Sequence, residues 1–529
     1  MSGQLKNSSI AAPGFLGLNS QESEVTLESG YATEANNCII DRYGRLGSRR
    51  GYTVLTTDLD TLLATDEIRT IFEFKDNTGT ITYLSAGGGK LFTGVDTLVE
   101  KTLRNAGDTA DITLVSATDR WQGAALINGI GYTASTDAFF AQRGSPLLLW
   151  HEPSAGYIWQ RAGDIGAVPT GTTVDSFDPD CVLAAFGRTW CASLSQDRHT
   201  VFYSVLADGA DFAAAGSGIL DISSVVGNND EIVAIADHNK YLIVFCKNNI
   251  VVYANADDPT NITLADVVTG VGCIARDSVQ KTGTDLIFLS KSGVRSLNRT
   301  LQENSMPMRE LSINVRDELV DDINNETLAN IKSVYFERDA FYLLSFPSTG
   351  TIYCFDTRNS LPNGGARVTK WTGLDYTAFC PTEDRKLYFG IAGGIAEYRG
   401  YLDGASTYRM SYYTANTDFG AVSLLKFPKK FEAIVIGNET QDFVVKYAFD
   451  YSTNFTSRAF SSNEQTVPSE YNIAEYGIGE YTGGLQIAFP KVHLGGSGKI
   501  VKFGLETVIN NAPVSFQKID VFIKIGKLI

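Results

Sequence analysis

One local event recurs along this chain: a short apolar strand, a glycine- or asparagine-rich turn, then another short apolar strand. It occurs at Ile81–Leu84, Gly87–Gly89 and Leu91–Phe92, and again at Ala124–Ile127, Asn128–Gly129 and Ile130–Tyr132. Further copies turn near Asp197, at Lys247–Asn249, at Lys291–Gly293, at Pro347–Gly350 and at Gly393–Gly394. Tight hairpin turns need positive φ, which glycine and asparagine tolerate, and the flanking β-branched and aromatic residues suit strands. With turn centres near 88, 129, 197, 248, 292, 349 and 393, the spacings are 41, 68, 51, 44, 57 and 44 residues. A hairpin returning every ~40 to 50 residues is the beat of a four-stranded propeller blade. Blades pack face to face, so their strands read as unbroken apolar runs, as Tyr241–Cys246 does. Two β-sandwiches are the competing architecture, but they turn every 8 to 12 residues without a longer beat. The expected fold is mainly β: a six- or seven-bladed β-propeller with an extended N-terminal arm and a separate C-terminal antiparallel β domain.

The 529 residues divide accordingly into an arm and closing strand (1–60), the propeller (61–404) and a C-terminal β domain (405–529). Past Gly404 the hairpin beat fades. Tyr408–Tyr413, Lys430–Ile436, Phe443–Asp450, Leu485–Phe489, Ile500–Leu505 and Val514–Ile525 read as strands there, while 451–484 reads as a polar excursion. One helix is expected near 313–325, with Ser312 as its cap and Val315, Leu319, Val320 and Ile323 at helical spacing. Charge divides at the same boundary. Residues 1–404 carry 32 basic and 49 acidic side chains, whereas 405–529 carry 12 and 11.

The net charge of −16 argues against a protein that grips nucleic acid by neutralising phosphates. No apolar run reaches the ~18 to 20 residues of a membrane span, and the polar Met1–Ile10 does not read as a signal peptide, so synthesis and folding in a cytoplasm are expected. The seven cysteines form no C-x-x-C pair and several lie in apolar runs, as expected of buried reduced thiols.

Signals for catalysis are scarce. The chain has no G-x-S-x-G, P-loop or H-E-x-x-H motif. Ser195–Thr200 has only part of the aspartate box of propeller glycosidases, and Asp208–Asp211 and Asp257–Asp258 lack the alternating ligands of a calcium loop. Neither an enzyme activity nor a cofactor or metal site is expected. The arm is more informative. It runs Ala12-Pro13-Gly14-Phe15-Leu16-Gly17-Leu18-Asn19, then Ala35-Asn36-Asn37-Cys38-Ile39-Ile40-Asp41, then Gly44-Arg45-Leu46-Gly47-Ser48-Arg49-Arg50-Gly51-Tyr52. Arg45, Arg49 and Arg50 cluster among glycines, and pairing with the acidic body is the simple expectation for them.

This opening resembles that of tail tubular (nozzle) proteins and related tail or head-completion proteins of short-tailed bacteriophages. Leu286–Leu297, Met308–Asp317, Phe341–Pro347, Phe355–Arg358 and Arg367–Trp371 are similar to further pieces of that group. The resemblance implies a structural virion protein, assembled in the host cytoplasm and resident in the tail. It implies a self-associating ring, a hexamer by expectation, below the portal, meeting the adaptor or head–tail connector and the tail fibre proteins. DNA would pass through in transit without specific binding. The arm and the C-terminal domain are expected to make the ring contacts, with Asn36, Asn37, Arg45, Arg49, Arg50 and Arg316 as candidate assembly residues. The alternative is a glycan-binding or glycoside-active propeller acting in host receptor recognition. A weaker third is an intracellular peptide-binding scaffold.

Overall fold

The computed structural model describes residues 5–57, 62–105, 107–129, 135–152, 156–161, 177–227, 230–297, 310–437, 439–462 and 486–526. Seven consecutive sheets stand around one axis, and each holds one of the seven recurring turns. Blade 1 is a meander of Ile68–Lys75, Ile81–Gly87, Lys90–Thr93 and Val99–Lys101. Blade 2 runs through Gln122–Asn128, Ser135–Gln142, Ser145–His151 and Ile158–Arg161 and is extended at its outer edge by Leu103–Arg104 and Asp111–Ile112. Blade 3 spans Cys181–Ala185 to Gly218–Asp221, and blade 4 spans Ile232–His238 to Thr263–Thr269. Sector 5 is a three-stranded sheet: Gln280–Lys281, Leu286–Ser290 and Gly293–Ser296. Blade 6 runs from Lys332–Phe336 to Arg367–Thr372. Blade 7 has Ala378–Pro381, Leu387–Ile391 and Gly394–Tyr398. Among the described residues, six four-stranded or larger blades and one three-stranded sector make up the propeller, which explains why the hairpin beat fits either count.

Blade 7 is completed from the other end of the chain. Tyr52–Val54 pairs antiparallel with Gly394–Tyr398, in the register Ala396↔Val54, Glu397↔Thr53 and Tyr398↔Tyr52. The ring closes between blades 7 and 1, where the Thr377 hydroxyl donates to the Ile68 carbonyl at 2.7 Å. Gly390 permits that approach, since a Cβ there would lie 1.9 Å from the same oxygen.

The stability of the ring comes from sheet-on-sheet burial. Separate apolar clusters fill the gaps between neighbouring blades, such as Phe74, Trp121, Phe140 and Trp150 between blades 1 and 2, and Trp190, Val201, Leu242 and Val251 between blades 3 and 4. Phe341–Phe346 and Thr351–Asp356 are buried at every position, because blade 7 covers one of their faces and a cluster with sector 5 and helical residues Leu319 and Ile323 covers the other. All seven cysteines are buried free thiols. Part of the second expected hairpin, Ile130–Tyr132, lies outside the described residues. Its turn joins the first and second strands of blade 2, whereas the other six join the second and third. The corresponding turn of blade 2 is at Gly144, which has φ +78. Counting from there gives spacings of 56 and 53 residues in place of 41 and 68.

The remaining strands form two mainly antiparallel layers that incorporate the arm, which joins blade 6 by a parallel bridge, Asn36↔Lys370. In one, the long strands Lys426–Gly437 and Val514–Ile525 pair along their length, and Leu5–Ala11 pairs with the outer side of Val514–Ile525. In the other, Tyr31–Asn36 lies between Arg367–Thr372 of blade 6 and Tyr408–Thr414 of the C-terminal region. Val501–Ile509, Asp442–Phe449 and Thr456–Ser461 continue it into a ten-stranded sheet. One sheet therefore runs from the propeller into the C-terminal layers, with N-terminal residues as the splice. Most of the 451–484 excursion lies outside the described residues. The inserted helix is Arg316–Asn325, preceded by a 3-10 turn at Ile313–Val315, and it buries Leu319 and Ile323. Ser312 does not cap it. Its hydroxyl instead accepts from the Val294 N–H at 3.0 Å, tying the helix start to sector 5.

Candidate functional site

A blade presents the residues just before its inner strand at one mouth of the axis. Here those positions are charged in five neighbouring sectors: Arg120 before Gln122–Asn128, Asp180 before Cys181–Ala185, Glu231 before Ile232–His238, the pair Arg276 and Asp277 before Gln280–Lys281, and Lys332 at the start of blade 6. All of them except Lys332 line a cavity of about 420 Å³, whose lining also includes the apolar Val233, Ile274, Leu328 and Ala329.

Arg276 spans this mouth. Its Nη1 donates to the carbonyl and carboxylate of Asp180 at 2.7 and 2.9 Å, and Nη2 donates to the Arg120 carbonyl at 2.6 Å. Nε and Nη2 fork onto Asp277 at 3.0 and 3.1 Å, so all five N–H donors are used. Lys332 also bonds Asp277, and the Ser333 hydroxyl donates to the Asp277 carbonyl. One guanidinium thereby ties sector 5 to blades 2 and 3 across the axis, while Asp277 extends the link to blade 6.

Each carboxylate at the mouth has two basic partners. Asp180 is held by Arg143 and Arg276, Glu231 by Arg198 and Lys247, and Asp277 by Arg276 and Lys332. Burial alone would raise the Asp277 carboxyl, but Arg276 and Lys332 hold it well below the usual carboxylate range. Burial pushes Glu231 up as well, and Lys247 and Arg198 more than offset it. Burial pushes the Lys332 ammonium down. The Arg120 guanidinium is lowered by burial and by the like charges of Arg69 and Arg276.

A carboxylate with a depressed folded-state pKa adds stability above its unfolded value of ~3.9 to 4.3, and that stability disappears as pH falls through the folded value. Urea midpoints measured from pH 7 to pH 3 should therefore fall on acidification. Asp277→Asn should start lower at pH 7, and its gap to the wild type should begin to close below about pH 4 and keep closing as the pH falls further. Parallel curves would show that Asp277 does not set this dependence.

The candidate assembly residues have mixed positions. Asn37 and Arg49 are buried at the splice between arm, blade 6 and C-terminal region. The Asn37 Oδ1 accepts from Arg49 Nε and from the Thr372 N–H, both at 3.0 Å, and its Nδ2 donates to the Arg409 carbonyl at 2.9 Å. Arg49 grips Asp403 with two bonds of 2.8 and 2.7 Å and lies 4.0 Å from the centre of the Tyr408 ring. This is the pairing with the acidic body that the sequence allowed. Neither side chain offers surface to a neighbouring subunit. Arg45 pairs with Asp41, and Arg316 pairs with the buried Glu310 while staying 41% exposed. Asn36 donates to Glu34 at 3.1 Å, and Arg50 is half-buried. The recurring signal in the sequence comes from turns and not from strand heads, so it does not point to the mouth network. Its signal was a charged residue at the head of an apolar inner strand, as in Asp180-Cys181-Val182 and Glu231-Ile232-Val233. Among the described residues no group of three or more His, Cys, Asp or Glu is placed to hold a metal ion, and no helix is long and apolar enough to cross a membrane.

No protein-family model and no curated protein matches the chain. Among solved structures it is similar to the extracellular domain of a one-component system from B. thetaiotaomicron, at 11% identity and TM-score 0.42, covering 87% of this chain and 63% of that one. The chain thus spans less than two thirds of that protein. It is also similar to the WD40 propeller domain of Doa1, at 9% identity and TM-score 0.35 over 66% of this chain and 96% of that one. The Neurospora crassa Pan2 WD40 domain matches at 7% identity and TM-score 0.36, over 67% and 96%. The chain is a β-propeller by its own sheet topology, a closed circuit of seven sheets sealed by an N-terminal strand.

Proposed function

We propose that this chain is a structural subunit of a multi-copy assembly, a ring-forming nozzle or tail-tube protein of a short-tailed phage virion. The observation that carries the reading is the ten-stranded sheet that fuses blade 6, the arm and the C-terminal strands. Such continuity suits a subunit that transmits force along a stack, because backbone hydrogen bonds rather than a flexible linker join its parts. The motif resemblance of the arm supports the same reading. The DNA conduit of this proposal lies between subunits. A net charge of −16 suits a wall that lets polyphosphate slide past, because each neutralised phosphate adds affinity.

The test is multi-angle light scattering and negative-stain microscopy of the full chain, alone and mixed with a head–tail adaptor. Closed rings of several copies, six by expectation, are the expected result, and they require a heterologous contact that closes. A monomer under both conditions, at tens of micromolar, overturns the proposal. Saturable glycan binding by that monomer would favour the receptor-recognition alternative.

A further inference from the structure

The mouth of the propeller carries more positive charge than its own architecture uses. Three carboxylates there are served by five basic groups, Arg143, Arg198, Lys247, Arg276 and Lys332, and Arg120 is a sixth. Among the described residues Arg120 makes no ion pair, and its one side-chain bond runs to the Thr118 carbonyl at 2.8 Å. The Arg143 Nε is buried without a hydrogen-bond partner, although Nη2 of the same side chain reaches Ser193 and Asp180. Arg120, Arg143 and Lys247 all line the 420 Å³ cavity. Five of the six basic groups are engaged by the three carboxylates, so the unused capacity lies in the unpaired Arg120 guanidinium and the free Nε donor of Arg143. Desolvated guanidinium groups gathered together are stabilised most by an oxyanion, which can accept two parallel N–H bonds.

We propose that this cavity binds a small multivalent oxyanion, carboxylate- or phosphate-bearing, through Arg120, Arg143 and Lys247. The volume lies within the ~300 to 1,000 Å³ range of small-molecule sites. Ile274, Leu328 and Ala329 in the lining offer apolar contacts to a short carbon skeleton. Arg276 also lines the site; with its five donors already used, it contributes charge rather than a contact.

Isothermal titration of the full chain with citrate, and separately with pyrophosphate, tests this. Saturable binding with Kd below about 1 mM is expected for at least one of them. Citrate alone binding identifies a carboxylate ligand, and pyrophosphate alone identifies a phosphate ligand. Arg120→Gln combined with Arg143→Gln should weaken binding at least tenfold. Lys247→Gln, a change at a half-exposed side chain, should weaken it several-fold, with an unchanged circular dichroism spectrum checking the fold. Lys75→Gln, on a distant exposed pair, should leave it unchanged. The proposal is overturned by the absence of saturable heat at about 10 mM of either anion, or by binding that survives both the double variant and Lys247→Gln. These readouts do not depend on ring formation, so failure here and failure of the assembly reading are distinguishable.

Discussion

Arg276→Ala is expected to lower the folding stability by about 3–5 kcal/mol, the cost of breaking a buried charge network from one side. The substitution removes five hydrogen bonds at once and strands two carboxylates, Asp180 and Asp277, with one basic partner each. It also leaves the Arg120 carbonyl without its donor. Arg276→Lys should recover little of the loss. A lysine ammonium has three donors and no planar fork, and it cannot reach blades 2 and 3 while holding Asp277. The measurement is the urea midpoint at pH 7, followed by tryptophan fluorescence, since Trp121 and Trp190 sit in the inter-blade cores of the affected blades. A loss under about 1 kcal/mol would mean that inter-blade apolar packing holds the ring without an axial tie.

The propeller was legible in the sequence because its information is local. A turn needs glycine or asparagine at particular positions, and a doubly covered strand needs an apolar run, so Tyr241–Cys246 and Lys247–Asn249 announce themselves without a partner. What the sequence did not reveal depends on contacts distant along the chain. Asn37 and Arg49 read as polar arm residues, yet their partners Thr372, Arg409 and Asp403 lie more than 300 positions away. Ser312 has the chemistry of a helix cap, but the tertiary bond to Val294 took precedence. The axial network was equally hidden, since no periodicity reports which strand heads converge on one point.

Removal of residues 1–57 is expected to abolish cooperative folding, rather than trimming a dispensable arm. The deletion would strip Tyr52–Val54 from blade 7 and leave Gly394–Tyr398 as an unpaired edge in the closing blade. It would also remove Tyr31–Asn36 from between blade 6 and Tyr408–Thr414, cutting the ten-stranded sheet in two. The core loss is as serious. Phe15, Leu18, Ile40 and Leu46 are buried in the largest apolar cluster. At about 1.5–3 kcal/mol each they supply roughly 6–12 kcal/mol. That is comparable to the ~5–15 kcal/mol by which whole domains are stable. Circular dichroism and limited proteolysis of the truncated chain should show no sharp thermal transition and rapid cleavage throughout. Co-expression of a 1–57 peptide should restore both, because strand addition can be made in trans. A soluble truncated chain with a sharp transition would establish instead that the propeller closes without its N-terminal strand.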